Sequence, residues 1–170
     1  MVYLRIIFSK KHDIKNLISV MDKKNLQILA ILQEKARIPN VEISRLINMA
    51  PSAVLERIRK MENQGIIDGY EVRLNPDRFN CRQISFIYVY STDNSDVGAV
   101  GDALEAIEEI QEIHFIAGED CYLVKVRTAD TRELDALLQS RITQIEGVRS
   151  TRTYPVLSTR KETAQIPIRF

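Results

Sequence analysis

Apolar residues recur at every third or fourth position in three stretches of the first half of the chain, the spacing of amphipathic helices. The first stretch covers residues 22–37, with Asp22 as its N-cap. The second, residues 41–47, is only about two turns long at 3.6 residues per turn. The third begins at Pro51, because proline suits the first position of a helix, and Gly65 closes it. The pattern predicts three short helices.

The second and third helices are joined by only three residues, beginning with Asn48, which tolerates the left-handed conformation of a tight turn. Val54, Ile58 and Met61 form the apolar stripe of the third helix. This arrangement, with a second helix that is basic on its free face, is typical of a helix-turn-helix. The residues predicted to point outward are Ser52, Ala53, Glu56, Arg57, Arg59, Lys60 and Asn63.

The second half alternates between strand-like and helix-like patterns. Residues 66–74 form an extended segment before a turn at 75–77, and the elements that follow have the order β-α-β-β-α-β. With right-handed crossovers, this order predicts a four-stranded antiparallel sheet with both helices on one face, and a bare apolar face that favours dimerisation. We predict strands at 83–91, 113–117, 122–127 and 148–157. We predict helices with apolar stripes at 97–107 and 134–145, and Gly147 marks the end of the second helix.

Composition excludes several classes of protein. Of the 170 residues, 45% are hydrophobic and 28% charged, which is ordinary globular usage. The net charge is only +1, so any DNA binding must come from a local basic face. Cys81 and Cys121 form no CxxC motif or Cys/His cluster, which predicts no metal site, no cofactor and a reducing cytoplasm. We find no secretion signal or membrane span.

The run from Pro51 to Tyr70, PSAVLERIRKMENQGIIDGY, carries the most specific signal. It resembles the recognition helix and exit segment of the Lrp/AsnC family, the feast/famine regulators. The resemblance begins at Met21-Asp22, includes Glu56-Arg57 and Gly69-Tyr70, and continues weakly to Gly147-Val148. It implies a sequence-specific transcriptional regulator that binds double-stranded DNA as a homodimer or higher even oligomer and responds to an amino acid.

The resulting fold class is α+β, with a winged helix-turn-helix followed by a ferredoxin-like βαββαβ sandwich. Where the family usually has Gly and Ser in the turn and cap, this chain has Asn48 and Ala50, so the third helix lacks a side-chain cap worth about 1 kcal/mol.

We divide the chain into five parts. They are a dispensable extension at 1–20, for which a misplaced translation start is one explanation, a DNA-binding domain at 21–70, a linker at 71–82, an effector and oligomerisation domain at 83–157, and a tail at 158–170.

The third helix supplies the predicted DNA contacts, because the N-terminal turns of a recognition helix face base edges while later basic residues meet phosphates. We expect Arg57→Ala to cost about 1–3 kcal/mol on the preferred site and to relax specificity. The alternative is that the helix has merely a solvated basic face. The assignment is Ser52, Ala53, Glu56 and Arg57 to the groove, and Arg59 and Lys60 to the backbone.

The resemblance also implies an effector site at residues 118–121, where the family has a Gly-x-x-Asp turn at a contact between subunits. Gly118 matches, but Cys121 stands at the Asp position. Glu119 and Asp120 could bind an ammonium group while backbone N–H groups bind a carboxylate. A shift of one residue in an extended segment, however, turns a side chain to the opposite face. The alternative is a polar hairpin turn without a ligand.

His114 and Tyr154 fall on predicted strands at positions that resemble effector contacts of the family. With Cys121 in place of the usual Asp and a polar group at His114, we expect a polar amino acid to be preferred over leucine. A structural histidine is the alternative. Cys121 lacks a visible activating partner, which favours an unreactive thiol over a redox switch.

Two other functions stay open. Some proteins that resemble this family are tetrapyrrole decarboxylases of haem biosynthesis, which use the α/β domain as an active site. Only His114, Arg127 and Tyr154 are candidates for such a pocket, and no acid/base pair is visible, so we expect no enzyme. The intact third helix opposes a metabolite sensor with a vestigial DNA domain.

Overall fold

The computed structural model describes residues 22–92 and 96–169. The chain divides into two compact units, one formed by Met1–Val72 with Thr163–Phe170 and the other by Arg73–Glu162. We call them the helical unit and the sheet unit. The division falls inside the predicted linker at 71–82, and the predicted extension at 1–20 lies outside the described residues.

The helical unit begins with α1 (Lys23–Glu34), whose N-cap Asp22 accepts a hydrogen bond of 2.9 Å from the Asn25 N–H. This confirms the predicted cap, although the helix ends three residues before the predicted Arg37. Next comes α2 (Asn40–Ile47), which ends at Asn48 in the left-handed conformation, with φ 53°. The predicted turn residue therefore has the backbone geometry for which asparagine is suited.

The third helix, α3 (Pro51–Asn63), starts at Pro51 as predicted, and Ala50 provides no side-chain cap. Gly65 follows it with φ 64°, a left-handed conformation that glycine adopts without steric cost. No strand follows α3 before Gln83, so the segment predicted as extended has irregular structure. The three helices bury one apolar cluster, made of Ile28, Ile38, Ile43, Ile47, Val54, Ile58 and Met61.

The C-terminal tail contributes to the helical unit through the Gln33 side chain on α1. The Gln33 amide donates to the Ile166 carbonyl over 3.2 Å and accepts from the Ile166 N–H over 2.8 Å. Gln165 donates in turn to the Gln33 carbonyl over 2.9 Å. The tail, for which the sequence pattern predicted no element, is thus hydrogen-bonded to Gln33, a helical residue more than 130 positions earlier in the chain.

The sheet unit has the predicted β-α-β-β-α-β order. All strand pairs are antiparallel in the order β2-β3-β1-β4, which confirms the ferredoxin-like sandwich. The helix predicted at 134–145 begins earlier than expected, after the Asp130 N-cap, and ends earlier, because a 3₁₀ turn at Ile142–Gln144 replaces its last part. The elements are β1 (Gln83–Ser91), α4 (Val97–Glu105), β2 (Ile110–Ile116), β3 (Cys121–Thr128), α5 (Thr131–Ser140) and β4 (Val148–Pro155), with a 3₁₀ turn at Pro76–Phe79 before β1.

Strand alternation separates two faces of the sheet. Ile87 and Val89 of β1 pack with Val124 and Val126 of β3 against α4 and α5 to form the core. The intervening positions form the helix-free face, on which the rings of Tyr88 and Tyr154 meet edge to face at 5.7 Å. Residues of this face include Ile84, Phe86, Tyr88 and Tyr90 of β1, and Leu123, Lys125 and Arg127 of β3.

Candidate DNA interface and effector turn

Most exposed residues of α3 recur at helical spacing on the side opposite the apolar cluster. They surround a shallow depression that opens to solvent. We call this surface the reading face. Its members are Ser52, Leu55, Glu56, Arg59, Lys60 and Asn63.

Arg59 and Lys60 are the cations of the reading face, and both are exposed. Among residues 22–92 and 96–169, neither has a hydrogen bond or ion pair to another side chain. A phosphate that approached them would therefore displace only water. This is the arrangement that DNA backbone contacts require, since binding then releases counterions without breaking an internal ion pair.

Arg57 and Ala53, which the helical pattern predicted to point outward, are both only partly exposed. The Arg57 Nη1 lies 2.6 Å from an Asp22 carboxylate oxygen and 2.8 Å from the Asn25 side-chain oxygen. Arg57 therefore connects α3 to the N-terminus of α1. The sequence carried one signal for this pair, the acidic cap Asp22, but no local pattern shows that two residues 35 positions apart will meet.

Two contacts position the helices around α1. Lys24 donates to the Ile47 carbonyl at the C-terminus of α2, while Asp22 holds Arg57 of α3. The pKa of Asp22 is lowered, first by the hydrogen bond from the Asn25 N–H and then by the Arg57 guanidinium. Because α1 contacts both partners, these bonds support the arrangement of α2 and α3, which also share the buried apolar cluster.

The segment that leaves α3 is bonded back to the helix. The Tyr70 hydroxyl donates to the Glu62 carboxylate over 2.9 Å. Partial burial, together with the charge and hydrogen bond of Glu62, raises the pKa of Tyr70 to about 12. Tyr70, from the Gly69-Tyr70 pair that the sequence singled out, thus connects the segment after α3 back to the helix.

The candidate effector site is the hairpin turn between β2 and β3, which covers residues 117–120. All four residues are exposed. Gly118 and Asp120 both have positive φ angles, 97° and 48°. Asp120 is therefore not in an extended conformation, so the alternation of side chains along a strand does not apply to it. Its position, one residue before the family's Asp, does not by itself place its carboxylate on the opposite face.

Cys121 is the first residue of β3 and is fully buried. Burial raises the pKa of its thiol, and the carboxylates of Glu119 and Asp120 raise it further. An activated thiolate needs the opposite shift. Glu119 itself accepts a hydrogen bond of 3.0 Å from the Tyr90 hydroxyl. Asp120 is thus the carboxylate of this turn that no other described side chain engages.

His114 and Tyr154 lie at opposite edges of the sheet. His114 is on β2, and its ring nitrogen lies 3.4 Å from a Glu112 carboxylate oxygen. Tyr154 is on β4, which is separated from β2 by β3 and β1. Three strand spacings amount to about 14 Å. Within one subunit, therefore, His114 lies at the edge of the sheet that carries the turn, and Tyr154 lies at the opposite edge.

A cluster of charges on the helix-free face escaped the sequence reading, apart from Arg127. The Glu162 carboxylate, from the tail, binds both Lys125 and Arg127, with a 2.6 Å bond to Arg127. Glu112 also lies 2.9 Å from Lys125. Hydrogen bonds to Lys125 are the main cause of the lowered pKa of both carboxylates. This ion-pair cluster holds the tail against the sheet.

Comparison with known proteins adds a decisive likeness. A family model described as "Winged helix-turn-helix DNA-binding" matches residues 21–68, and one described as "Lrp/AsnC ligand binding domain" matches residues 84–166. The leucine-responsive regulatory protein of Escherichia coli strain K12 is 34% identical over 165 residues, covering 95% of this chain and 97% of the relative. The chain belongs to the Lrp/AsnC family. It is accordingly a DNA-binding transcriptional regulator, as the motif in α3 predicted.

Two solved structures of regulatory proteins are similar in fold to most of this chain. A transcriptional regulator of Neisseria meningitidis in complex with L-methionine has a TM-score of 0.83 and 27% identity, with coverage of 87% of this chain and 97% of that one. A feast or famine regulatory protein of Mycobacterium tuberculosis complexed with L-methionine has a TM-score of 0.78 and 31% identity, covering 85% and 97%.

These likenesses support the regulator over the haem-biosynthesis alternative. The geometry agrees, because Arg127 is occupied by Glu162, and His114 and Tyr154 lie at different edges. Among the described residues, no three His, Cys, Asp or Glu side chains converge as metal ligands. In the same part of the chain, no helix has the length and hydrophobicity needed to cross a membrane.

Proposed function

We propose that the reading face of α3 enters the major groove of promoter DNA, with Ser52 and Glu56 near base edges and Arg59 and Lys60 on phosphates. The observation that carries this assignment is that Arg59 and Lys60 are unpaired within the described chain, whereas Arg57 is bonded to α1. Arg57 acts in this proposal as a positioning residue, and half-buried Ala53 packs beneath the groove-facing side chains.

A salt titration of full-length protein tests the phosphate contacts. Duplexes are first selected from a random-sequence library, and affinity is then measured by fluorescence anisotropy at several salt concentrations. Lys60→Ala should weaken all sequences alike and reduce the slope of log affinity against log salt by about 0.9, the contribution of one phosphate contact. Arg59→Ala should behave similarly.

The matched control is Arg141→Ala, since Arg141 is an exposed arginine at the end of α5, in the other unit. It should leave the slope unchanged. Equal slopes for Lys60→Ala, Arg59→Ala and the unmodified protein would remove the phosphate assignment. A reduced slope for Arg141→Ala would show that DNA lies on a different surface.

We further propose a homodimer, or a higher even oligomer, assembled through the helix-free face of the sheet. Two-fold symmetry would match two half-sites about one helical turn apart. The face supports this because it presents Phe86, Tyr88, Tyr90 and Tyr154, and aromatic residues are enriched at interfaces. Sedimentation should show Tyr88→Asp as a monomer, with Val97→Asp on α4 unaffected. A dimeric Tyr88→Asp protein would contradict the proposal.

The effector of this proposal is an amino acid bound at residues 117–120, between subunits. Support comes from the relatives, since one is named leucine-responsive and two structural neighbours hold L-methionine. In this chain, Asp120 and the exposed backbone of the turn offer partners for an ammonium and a carboxylate. In this proposal His114, which lies on β2 before the turn, also contacts the amino acid, and we expect it to favour a polar amino acid over leucine.

Calorimetry with each of the twenty amino acids tests this site. Asp120→Ala should abolish binding, His114→Ala should weaken it, and Asp135→Ala, on the exposed side of α5, should leave it intact. Binding must also shift oligomeric state or DNA affinity, because a ligand moves an equilibrium only through its differential affinity. Tight binding that survives Asp120→Ala would place the site elsewhere. In this proposal the chain is a binding protein rather than an enzyme, and it acts in the cytoplasm.

A further inference from the structure

Leu55 is an apolar side chain within an otherwise polar reading face. It is 36% exposed and does not belong to the apolar cluster that Val54 and Ile58 join on the other side of α3. Ser52 lies one turn before it and Arg59 one turn after it, so its neighbours on the helix surface are residues that we assign to DNA. The exposed part of the Leu55 side chain therefore faces solvent between side chains that we assign to DNA.

The major groove offers one apolar group to such a side chain. Each base pair presents hydrogen-bond donors and acceptors there, but only thymine adds a methyl group, at C5. We propose that Leu55 is a specificity-determining residue that packs against a thymine methyl and selects a T·A pair in each half-site. This inference rests on the proposed entry of α3 into the major groove.

The chain contains a matched residue for comparison. Leu46 on α2 is 65% exposed, more than Leu55, but it lies on the helix that precedes the recognition helix. In helix-turn-helix complexes the first helix crosses the backbone, where there is no methyl group to recognise. The effect of Leu46→Ala on DNA affinity should therefore not depend on any particular base. The two leucines separate base recognition from general surface hydrophobicity.

The experiment replaces thymines one at a time by deoxyuridine, which keeps the base pair and the O4 acceptor and removes only the methyl group. Full-length protein is used with a duplex selected from a random-sequence library, and affinity is measured by fluorescence anisotropy. At one thymine, or one symmetry-related pair, each deoxyuridine should weaken binding about fourfold, as expected for one buried methyl group. Leu46→Ala should show the same loss.

Leu55→Ala should bind the thymine and deoxyuridine duplexes equally, while Leu55→Met should recover part of the discrimination. Circular dichroism checks that the variants are folded alike. We expect equal helix content, because alanine favours the helical conformation at an exposed position. The inference is overturned if no thymine is sensitive, or if the sensitivity persists in Leu55→Ala although the protein selects a sequence. If the protein enriches no duplex at all, the proposed reading face fails together with the inference.

Discussion

Two pairs of cationic side chains, one in each unit, have different surroundings. Arg59 and Lys60 of the helical unit are exposed, without a partner among the described residues. Lys125 and Arg127 of the sheet unit keep only 12% and 14% of their side-chain surface exposed, and both bind Glu162. The chain as a whole has a net charge of only +1. This difference in availability, rather than the presence of a cation, is our reason for proposing Arg59 and Lys60 as the DNA contacts.

The largest effect that would break this comparison comes from Glu162→Gln. This change leaves Lys125 and Arg127 partly buried without their shared carboxylate, and we expect a loss of about 2 kcal/mol in the free energy of unfolding. Urea denaturation measures it. Glu146→Gln, at an exposed position, is the matched control. Identical unfolding curves for the two variants would mean that the ion-pair cluster contributes nothing.

A second prediction separates Arg57 from Arg59, two arginines on one helix. Arg57→Ala removes bonds to Asp22 and Asn25, so the free energy of unfolding should fall by about 1 kcal/mol, a modest value because the pair is partly exposed. Arg59→Ala should leave stability within about 0.5 kcal/mol. Thermal or urea unfolding gives the stabilities, and anisotropy gives the salt slopes.

Only Arg59→Ala should lower the salt slope, because Arg57 reaches α1 rather than a phosphate. Arg57→Ala should instead weaken DNA binding through the pose of α3, in keeping with the loss of specificity expected from the sequence. A stable Arg57→Ala protein with a reduced salt slope would return this residue to the DNA surface.

A third prediction concerns acid. The folded pKa values of Glu162, Glu112 and Asp22 all lie below the ordinary values of these carboxyl groups, 4.5, 4.5 and 3.8. Their stabilising contribution is therefore complete above the unfolded pKa and is lost as pH falls through the lower folded pKa. Urea midpoints should drop below about pH 4.5, the unfolded pKa of glutamate. The drop should be shallower in Glu162→Gln than in the unmodified protein. The same dependence of the urea midpoint on pH in both proteins would contradict the prediction.

The smallest expected effect is that of Tyr70→Phe. The hydroxyl bond to Glu62 is half-exposed, so its loss should cost about 0.5 kcal/mol. Since the folded pKa of Tyr70 is raised from 10 to about 12, the unfolded state releases its proton first, and stability should fall as pH rises through that interval. Alkaline urea titrations measure this, and Tyr70→Phe should flatten the decline. Parallel declines in both proteins would remove the bond from the account.

Much of the fold follows from local pattern. Asp22 caps α1, Asn48 takes the left-handed turn, Pro51 starts α3 and Gly65 follows its end, as their intrinsic backbone preferences predict. The strands of the sheet unit were readable from period-two alternation. The later part of the helix predicted at 134–145 was not, because apolar Ile142 is buried from a 3₁₀ turn as readily as from an α-helix.

The sequence alone determined the family, the order of the elements and the helix that carries the DNA motif, because these depend on residues close together in the chain. Tertiary structure decided which cations are available. Arg57 and Arg59 are the same residue type on the same helix. Arg57 binds Asp22 because α1 packs against α3, whereas Arg59 stays exposed. Glu162 reaches Lys125 and Arg127 only because the tail returns over the sheet. Contacts between residues 35 or more positions apart depend on how whole elements pack, and no local periodicity records that.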